Sequence, residues 1–209
     1  MMASGKNARK PAAGKAARNR GKAPVITKRQ GLPWITIGAV VVVLALAVGI
    51  GWVVFSKASD NRALDAYVPS ADNKDPSTNI ADVYANAAKY KQALHVQATQ
   101  RVDYDMYPPV GGPHDGFWAA CNGVVYPVAM RDENMVHTLE HGAVWIAYNP
   151  KTLAEGDLNT LKGLVEGQQF MVMSPYPTLK DHPISLQAWG HQLQVDSATD
   201  PRVKQFITA

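Results

Sequence analysis

The sequence predicts one small α+β domain with a mixed or antiparallel sheet, preceded by a single transmembrane helix. A stretch of 24 residues without a charged side chain, 32–55, separates a basic N-terminal segment from the rest of the chain. After this stretch, patterns typical of strands and of helices alternate irregularly and without an internal repeat, which favours the α+β class. The length of 209 residues allows one domain with appendages.

The N-terminal segment is strongly basic. Residues 1–30 contain nine lysines and arginines and no acid. They show no apolar periodicity and cannot bury enough surface to offset the loss of chain entropy on folding. Residues 1–31 are therefore predicted to be a disordered cytoplasmic tail that contacts anionic lipid. Residues 56–209 have 12 basic and 17 acidic residues, a formal charge of −5, so we expect no nucleic-acid binding by the folded domain.

The apolar stretch 32–55 is long enough to cross a lipid bilayer. At about 1.5 Å per residue it forms a helix of roughly 36 Å, against a hydrocarbon core of about 30 Å. Trp34 and Trp52 lie near its ends, where indole rings prefer the membrane interface. Because basic segments stay in the cytoplasm, we expect a single-pass protein of the cell membrane with an extracytoplasmic C-terminal domain.

A cleaved signal peptide is the alternative to a retained anchor. Ser56, Lys57 and Ala58 match a small-x-small cleavage site. The apolar stretch exceeds the roughly 7–15 residues of a signal sequence, which favours retention. No cysteine follows the stretch where a lipoprotein would have one. Cys121 is the only cysteine in the chain, which excludes an intramolecular disulfide bond.

The remaining residues divide into a spacer and the folded domain. Residues 56–79 are polar and include two prolines, which predicts a spacer, and residues 80–209 form the domain. Apolar residues at helical spacing predict helices over 80–93, 133–141, 153–166 and 201–207. Alternating or continuous short apolar runs predict strands over 95–102, 123–130, 143–148, 170–173 and 184–189. The segment 108–114 has three prolines and two glycines and is predicted to be a loop.

Histidines are concentrated in the middle of the domain, where four of the six lie within 95–141. His137 and His141 are four residues apart, so on a helix they project from one face and can bind one metal ion. A third ligand must come from elsewhere, and His114, in the rigid Pro/Gly loop, is the first candidate. Two further candidates are His95 and Cys121.

The same residues have two other interpretations. Histidines that cap helices or pack in a core are common, so the pair His137 and His141 does not by itself establish a metal site. With Glu140 the pair also matches the inverted zinc-protease motif, in which the glutamate is the general base. That chemistry needs a later acidic ligand, and the only later glutamates are Glu155 and Glu166. Glu140 is therefore a catalytic candidate only if the protein is a hydrolase.

Three blocks of sequence resemble a known family. They are Pro-Pro-Val-Gly-Gly-Pro-His at 108–114, followed by Trp118 and Cys121; Val-His-Thr-Leu-Glu-His-Gly-Ala-Val-Trp at 136–145; and Ala-Trp-Gly at 188–190. Over roughly residues 90–206 the chain resembles the bacterial domain of unknown function 3105 family. The resemblance implies a membrane-anchored actinobacterial protein and no particular activity. The polar positions of the pattern are His95, His114, Cys121, His137, Glu140 and His141. Asn122 departs from the pattern, which has a glycine directly after the cysteine.

From the histidines and the resemblance we expect an extracytoplasmic domain that binds a transition metal, copper or zinc. The first alternative is a non-catalytic accessory subunit of a larger membrane or cell-envelope complex, in which the histidines only pack the domain. The second alternative is a metal-dependent hydrolase. Methionine thioethers are ligands for Cu(I), but Met171 and Met173 lie in an apolar run and are predicted to pack in the core.

Overall fold

A computed structural model of the protein describes residues 34–90 and 94–209. The predicted cytoplasmic tail, 1–31, lies outside these residues, as do residues 91–93 at the end of the predicted helix 80–93. The chain divides into two compact units, Met1–Gly51 and Trp52–Ala209.

Helix α1, Trp34–Leu64, contains the described part of the predicted transmembrane stretch. Within the described ranges it is the one helix long and apolar enough to cross a membrane. It continues for nine residues into the predicted spacer, because the segment 56–64 has several good helix formers and lacks both glycine and proline. The rest of the spacer contains two 3₁₀ turns, Asp65–Tyr67 and Pro76–Asn79.

The domain contains eight strands: Tyr84–Ala85 (β1), His95–Val96 (β2), His114–Asp115 (β3), Asn122–Val125 (β4), Val144–Tyr148 (β5), Met171–Pro175 (β6), Ile184–Ala188 (β7) and His191–Val195 (β8). Six of them form a mixed sheet with the strand order β1-β8-β7-β5-β6-β4. Strands β5 and β6 are parallel, and β4 pairs in parallel with β6. On the other side of β5, the strands β7, β8 and β1 are each antiparallel to their neighbour. A separate two-stranded parallel sheet consists of β2 and β3.

Helices cover both faces of the large sheet. The three helices of the domain are α2, Asp132–Glu140; α3, Glu155–Val165; and α4, Pro201–Thr208. Along β5, Ile146 and Tyr148 point into the core cluster shared with α3 and α4, whereas Trp145 and Ala147 point into the cluster shared with α2. A strand buried on both faces is apolar at successive positions, which explains why 143–148 was predictable from its sequence.

Four parts of the predicted fold differ from the structure. The segment 80–93 is not a helix, because its described part contains β1, which pairs with β8, and a 3₁₀ turn, Ala87–Lys89. The predicted strand 95–102 is limited to β2, and the predicted strand 123–130 ends at Val125, the last residue of β4. Strand β8 was not predicted and follows β7 through a two-residue turn, Trp189 and Gly190, typical of a β-hairpin. Gly190 has a φ of +74°, and a Cβ there would lie 2.3 Å from the Ala87 backbone.

Candidate metal centre

Four side chains from β2, β3 and α2 come close together beside α2. His95, His114, His137 and Glu140 each offer one ligand atom, and these atoms all lie within 4.8 Å of one another. Donors around one tetrahedral ion, with bonds of about 2.0–2.1 Å, lie roughly 3.3 Å apart. His114 and His137 are buried, whereas His95 and Glu140 are exposed. The two exposed side chains are therefore the ones that can move by the distance an ion requires.

The small sheet brings the first two histidines together. In the parallel pair of β2 and β3, His95 is the register partner of His114. The backbone N–H of His114 donates to the carbonyl of Leu94, at 2.9 Å, which fixes this register. The imidazole rings lie with their centroids 5.1 Å apart. Two short strands, neither of which belongs to the main sheet, therefore position the two histidines.

The loop before β3 orients the ring of His114. Its Nδ1 lies 2.9 Å from the carbonyl oxygen of Gly112 and must donate to it, because a carbonyl only accepts. Gly112 has a φ of +113°, a conformation that favours glycine, and a Cβ at Gly111 would lie 2.7 Å from the Tyr90 ring. The two glycines thus allow the loop to approach Tyr90 and to turn one carbonyl towards His114.

Helix α2 places His137 and Glu140 one turn apart on the side that packs against β3. The Nδ1 atom of His137 lies 2.6 Å from the carbonyl oxygen of Asp115 and donates to it. The single strand β3 therefore supplies one ligand, His114, and the backbone acceptor that orients a second. Histidine ligands of metals commonly use their other ring nitrogen in this way, which fixes the tautomer and the ring orientation.

The fixed tautomer leaves two acceptors facing each other. With Nδ1 of His114 donating to Gly112, the neutral ring has a lone pair on Nε2. This Nε2 is fully buried, makes no hydrogen bond to a described residue, and lies 3.0 Å from Oε2 of Glu140. The same carboxylate oxygen lies 4.0 Å from Nε2 of His137. Such an arrangement is favourable only when a cation, a metal ion or a proton, lies among these atoms.

Burial also keeps His137 available as a ligand. Burial lowers the pKa of His137 below its usual value, and the neighbouring rings of His114, His141 and His95 act in the same direction. The Asp115 carbonyl acts in the opposite direction, because it accepts from the ring. A ring that stays neutral keeps a lone pair for a metal ion.

A network of charged groups holds Asp115 in place. Its carboxylate accepts from the backbone N–H of Phe117 and from Arg131, and these contacts lower the pKa of Asp115 against the opposing effect of burial. Arg131 also contacts the buried carboxylate of Glu133 and the carbonyl of Gln100. The network therefore joins β3 and the start of α2, two of the elements that supply ligands, to the segment that follows β2.

The structure places the other two predicted ligands outside this group. The ring of His141 stacks on His137 with a centroid distance of 4.8 Å and an interplanar angle of 13°. Cys121 is partly buried and packs against the core cluster under α2, where burial raises the pKa of its thiol. Of the remaining histidines, His182 pairs with Asp196, and His191 bridges Asp75 and the Trp189 carbonyl.

Several supporting residues were not identified from the sequence. Arg131 and Asp115 had no spacing that linked them to the histidines. Trp189 packs edge-on against His114 with a centroid distance of 6.0 Å, and its Nε1 donates to the carbonyl of Tyr90. The resemblance block at 188–190 contained Trp189, which is the one signal in the sequence that pointed to it.

A comparison with known protein families identifies residues 95–209 as one family domain. The family model described as "Protein of unknown function (DUF3105)" matches residues 95–209, which begin at the first histidine of the group and include all four candidate ligands. Comparison with curated proteins and with solved structures finds no match. Because the family model covers more than half of the chain, the protein belongs to the DUF3105 family of proteins of unknown function.

Proposed function

We propose that the domain binds one divalent transition-metal ion, zinc or copper, through His95, His114, His137 and Glu140. The observation that carries the proposal is the buried Nε2 of His114, which has no hydrogen-bond partner among the described residues and faces a carboxylate oxygen at 3.0 Å. An ion at this place would be bound by both atoms, and it would neutralise the Glu140 carboxylate beside the buried ring of His114.

The donor set favours a divalent ion over Cu(I). Three imidazole nitrogens and one carboxylate oxygen suit Zn²⁺ or Cu²⁺, whereas Cu(I) prefers sulfur. Cys121 does not belong to the group, and Met171 and Met173 lie in the core as expected. Zinc would take these four donors in a tetrahedral arrangement, and Cu²⁺ would take them in a tetragonal one.

The geometry favours binding without hydrolysis. In the inverted protease motif both histidines bind zinc and the glutamate remains free as a base. Here Glu140 lies within the ligand group and His141 is stacked outside it. With Glu140 bound to the ion, no carboxylate of the group is left to activate a water molecule.

Elemental analysis tests the proposal directly. The full chain, without a His tag, would be purified in detergent micelles in the absence of chelators, with His114→Ala, His137→Ala and the control His182→Ala prepared in parallel. We expect about one equivalent of zinc or copper in the wild type and in His182→Ala, and none in the other two variants. A wild-type protein that stays metal-free after incubation with both ions would overturn the proposal.

We also propose that the apolar part of α1 spans the cell membrane and that residues 56–209 are extracytoplasmic. The support is the length and composition of α1 together with the basic residues before it. Alkaline phosphatase, which is active only outside the cytoplasm, would be fused after Ala209. Activity is expected for this fusion. An inactive fusion, in a strain that keeps the protein intact, would contradict this orientation.

A further inference from the structure

His141 lies beside the ligand group in an arrangement that is unlike that of a core histidine. It follows His137 by one helical turn, its ring stacks on that of His137 at 4.8 Å, and it is exposed to solvent. Trp118 lies on the same side, with its ring centroid 4.9 Å from His141 and 5.3 Å from His137. The exposed face of the metal centre therefore carries one more nitrogen ligand than the ion needs.

The histidines of this region fall into two kinds. The rings of His114 and His137 are each fixed by a hydrogen bond from Nδ1 to a backbone carbonyl. Within the described parts of the chain, no hydrogen bond or ion pair holds the ring of His141. Its ring can therefore turn about its side-chain torsions without losing a polar contact, and both of its nitrogens are available to an ion.

We propose that His141 is an entry ligand, which takes a divalent ion from solution or from a small chelate and passes it to the buried position by way of His137. The inference deepens the proposed function and rests on it. The ion keeps its oxidation state throughout, and one nitrogen donor replaces another at each step. The shared ligand is Nε2 of His137, because its Nδ1 is occupied by the Asp115 carbonyl.

The spacing of the two rings makes the transfer stepwise. Residues four apart on a helix can bind one ion together. In the stacked arrangement the ring planes are nearly parallel, at 13°, so the in-plane lone pairs do not converge on one point. The ring of His141 must turn to meet an ion and returns to stacking when the ion has moved inward to His114. His137 has a single free nitrogen, so it can bind the ion together with His141 or together with His114, but it binds only one ion at a time.

Metal-exchange kinetics test this role. The full chain in detergent micelles, loaded with Zn²⁺, would be mixed in a stopped-flow instrument with the chromogenic chelator 4-(2-pyridylazo)resorcinol, and uptake of Zn²⁺ by the apoprotein would be followed separately. For His141→Ala we expect uptake and release to slow by the same several-fold factor, with an unchanged Kd. The control is His182→Ala, which removes a partly buried histidine that is paired with Asp196 and lies outside the ligand group.

The outcomes separate the two proposals. Unchanged exchange rates in His141→Ala would overturn the entry role while leaving the metal site intact. Faster release with a raised Kd would overturn it as well, because His141 would then be an ordinary ligand. Since His141 is exposed at the end of α2, the variant is expected to fold, and His141→Asn provides a second variant with a residue that helix ends accept. A wild-type protein that binds neither Zn²⁺ nor Cu²⁺ would overturn the proposed function and this inference together.

Discussion

His95 and His114 face each other directly across the parallel pair of β2 and β3, yet one is exposed and the other has no accessible surface. Removal of the two side chains should therefore change the stability of the apoprotein by different amounts. His95→Ala should abolish tight metal binding and change the stability of the apoprotein by no more than about 0.5 kcal/mol. His114→Ala should also destabilise the apoprotein, on the order of 2–4 kcal/mol, because it leaves a cavity and an unpaired carbonyl.

Calorimetric titration with Zn²⁺ and thermal unfolding of the apoprotein in micelles would measure the two effects. His182→Ala, which removes a histidine paired with Asp196, is the matched control. Full affinity in His95→Ala would show that the ion does not use β2.

Arg131 should act on the metal through Asp115 and His137. Arg131→Gln would release the Asp115 carboxylate, and with it the carbonyl that orients the His137 ring. Loss of such an outer partner typically weakens metal binding by about 10–100-fold. Zn²⁺ affinity measured by competition would test this, with Arg202→Gln as the control, because Arg202 forms a comparable pair of contacts with Asp200 and Asp82. Equal affinities in the two variants would exclude a role for Arg131.

Gly112→Ala should disturb both the loop and the site. A Cβ there has room, with its nearest neighbour at 3.6 Å, so the cost arises from the φ of +113°. We expect a loss of roughly 1–3 kcal/mol in the free energy of unfolding, and weaker Zn²⁺ binding because His114 loses its carbonyl partner. Gly156→Ala, in α3 and with open space around the added methyl group, should be neutral or stabilising. A Gly112→Ala protein with normal stability would contradict the strained conformation.

Metal retention should depend on pH with a midpoint below that of an ordinary histidine site. Protons compete with the ion for the imidazole lone pairs, and burial lowers the pKa of His137 from its usual 6.5. Zn²⁺ should therefore stay bound at pH 6.5 and dissociate as the pH falls further. Equilibrium dialysis across this range, followed by elemental analysis, would record the loss. Stoichiometric metal at about pH 4.5 would be incompatible with three histidine ligands.

Ionisation of Asp132 should make the domain less stable at neutral pH than at acidic pH. Burial, with a contribution from Glu133, raises the pKa of Asp132 to about 6 against the opposing hydrogen bond from Tyr176. The folded protein therefore binds this proton more tightly than the unfolded chain does. The stability gained is complete below about pH 3.8, the usual pKa of the group, and is lost as the pH rises through about 6.

Asp132→Asn should remove this loss, because the amide keeps an acceptor for Tyr176 and does not ionise. The expected gain in the free energy of unfolding is on the order of 1–3 kcal/mol at about pH 7.5 and close to zero at about pH 4. Thermal unfolding at both pH values would measure it, with the exposed Asp181→Asn as the control for the change in net charge. A gain of equal size at both pH values would point to packing as its cause.

The sheet core and three helices were predictable because their residues carry the burial pattern of the fold. Strand β5 is apolar at successive positions since α2 covers one of its faces and α3 and α4 cover the other. The short strands β1 and β3 were not predictable, because two residues contain no periodicity and their pairing depends on β8 and β2. The apolar residues of 80–93 are spaced as in a helix, although the backbone there is irregular. Several of these side chains pack against the domain, and Ile80 lies in its core.

The candidate ligand group was predictable in its residue types and only partly in its membership. Helical spacing paired His137 with His141, whereas the structure groups His137 with Glu140 and with His114. The direction of the His137 ring depends on the Asp115 carbonyl, which lies 22 residues earlier in the chain. No local pattern records such a contact. The same holds for His95, whose place beside His114 follows from a two-residue strand.

The ligand group joins β2, β3 and α2, and the three elements are separated by two connections, 97–113 and 116–131. An ion bound to all three would act as a cross-link that closes both loops. By the chain-entropy argument used for disulfide bonds, closing a loop of this length is worth about 3 kcal/mol. A chain with a single cysteine cannot obtain such a constraint by oxidation. Metal supply would thus set how long the segment between β2 and β3 withstands proteolysis, so that a bound ion would determine the lifetime of the folded domain.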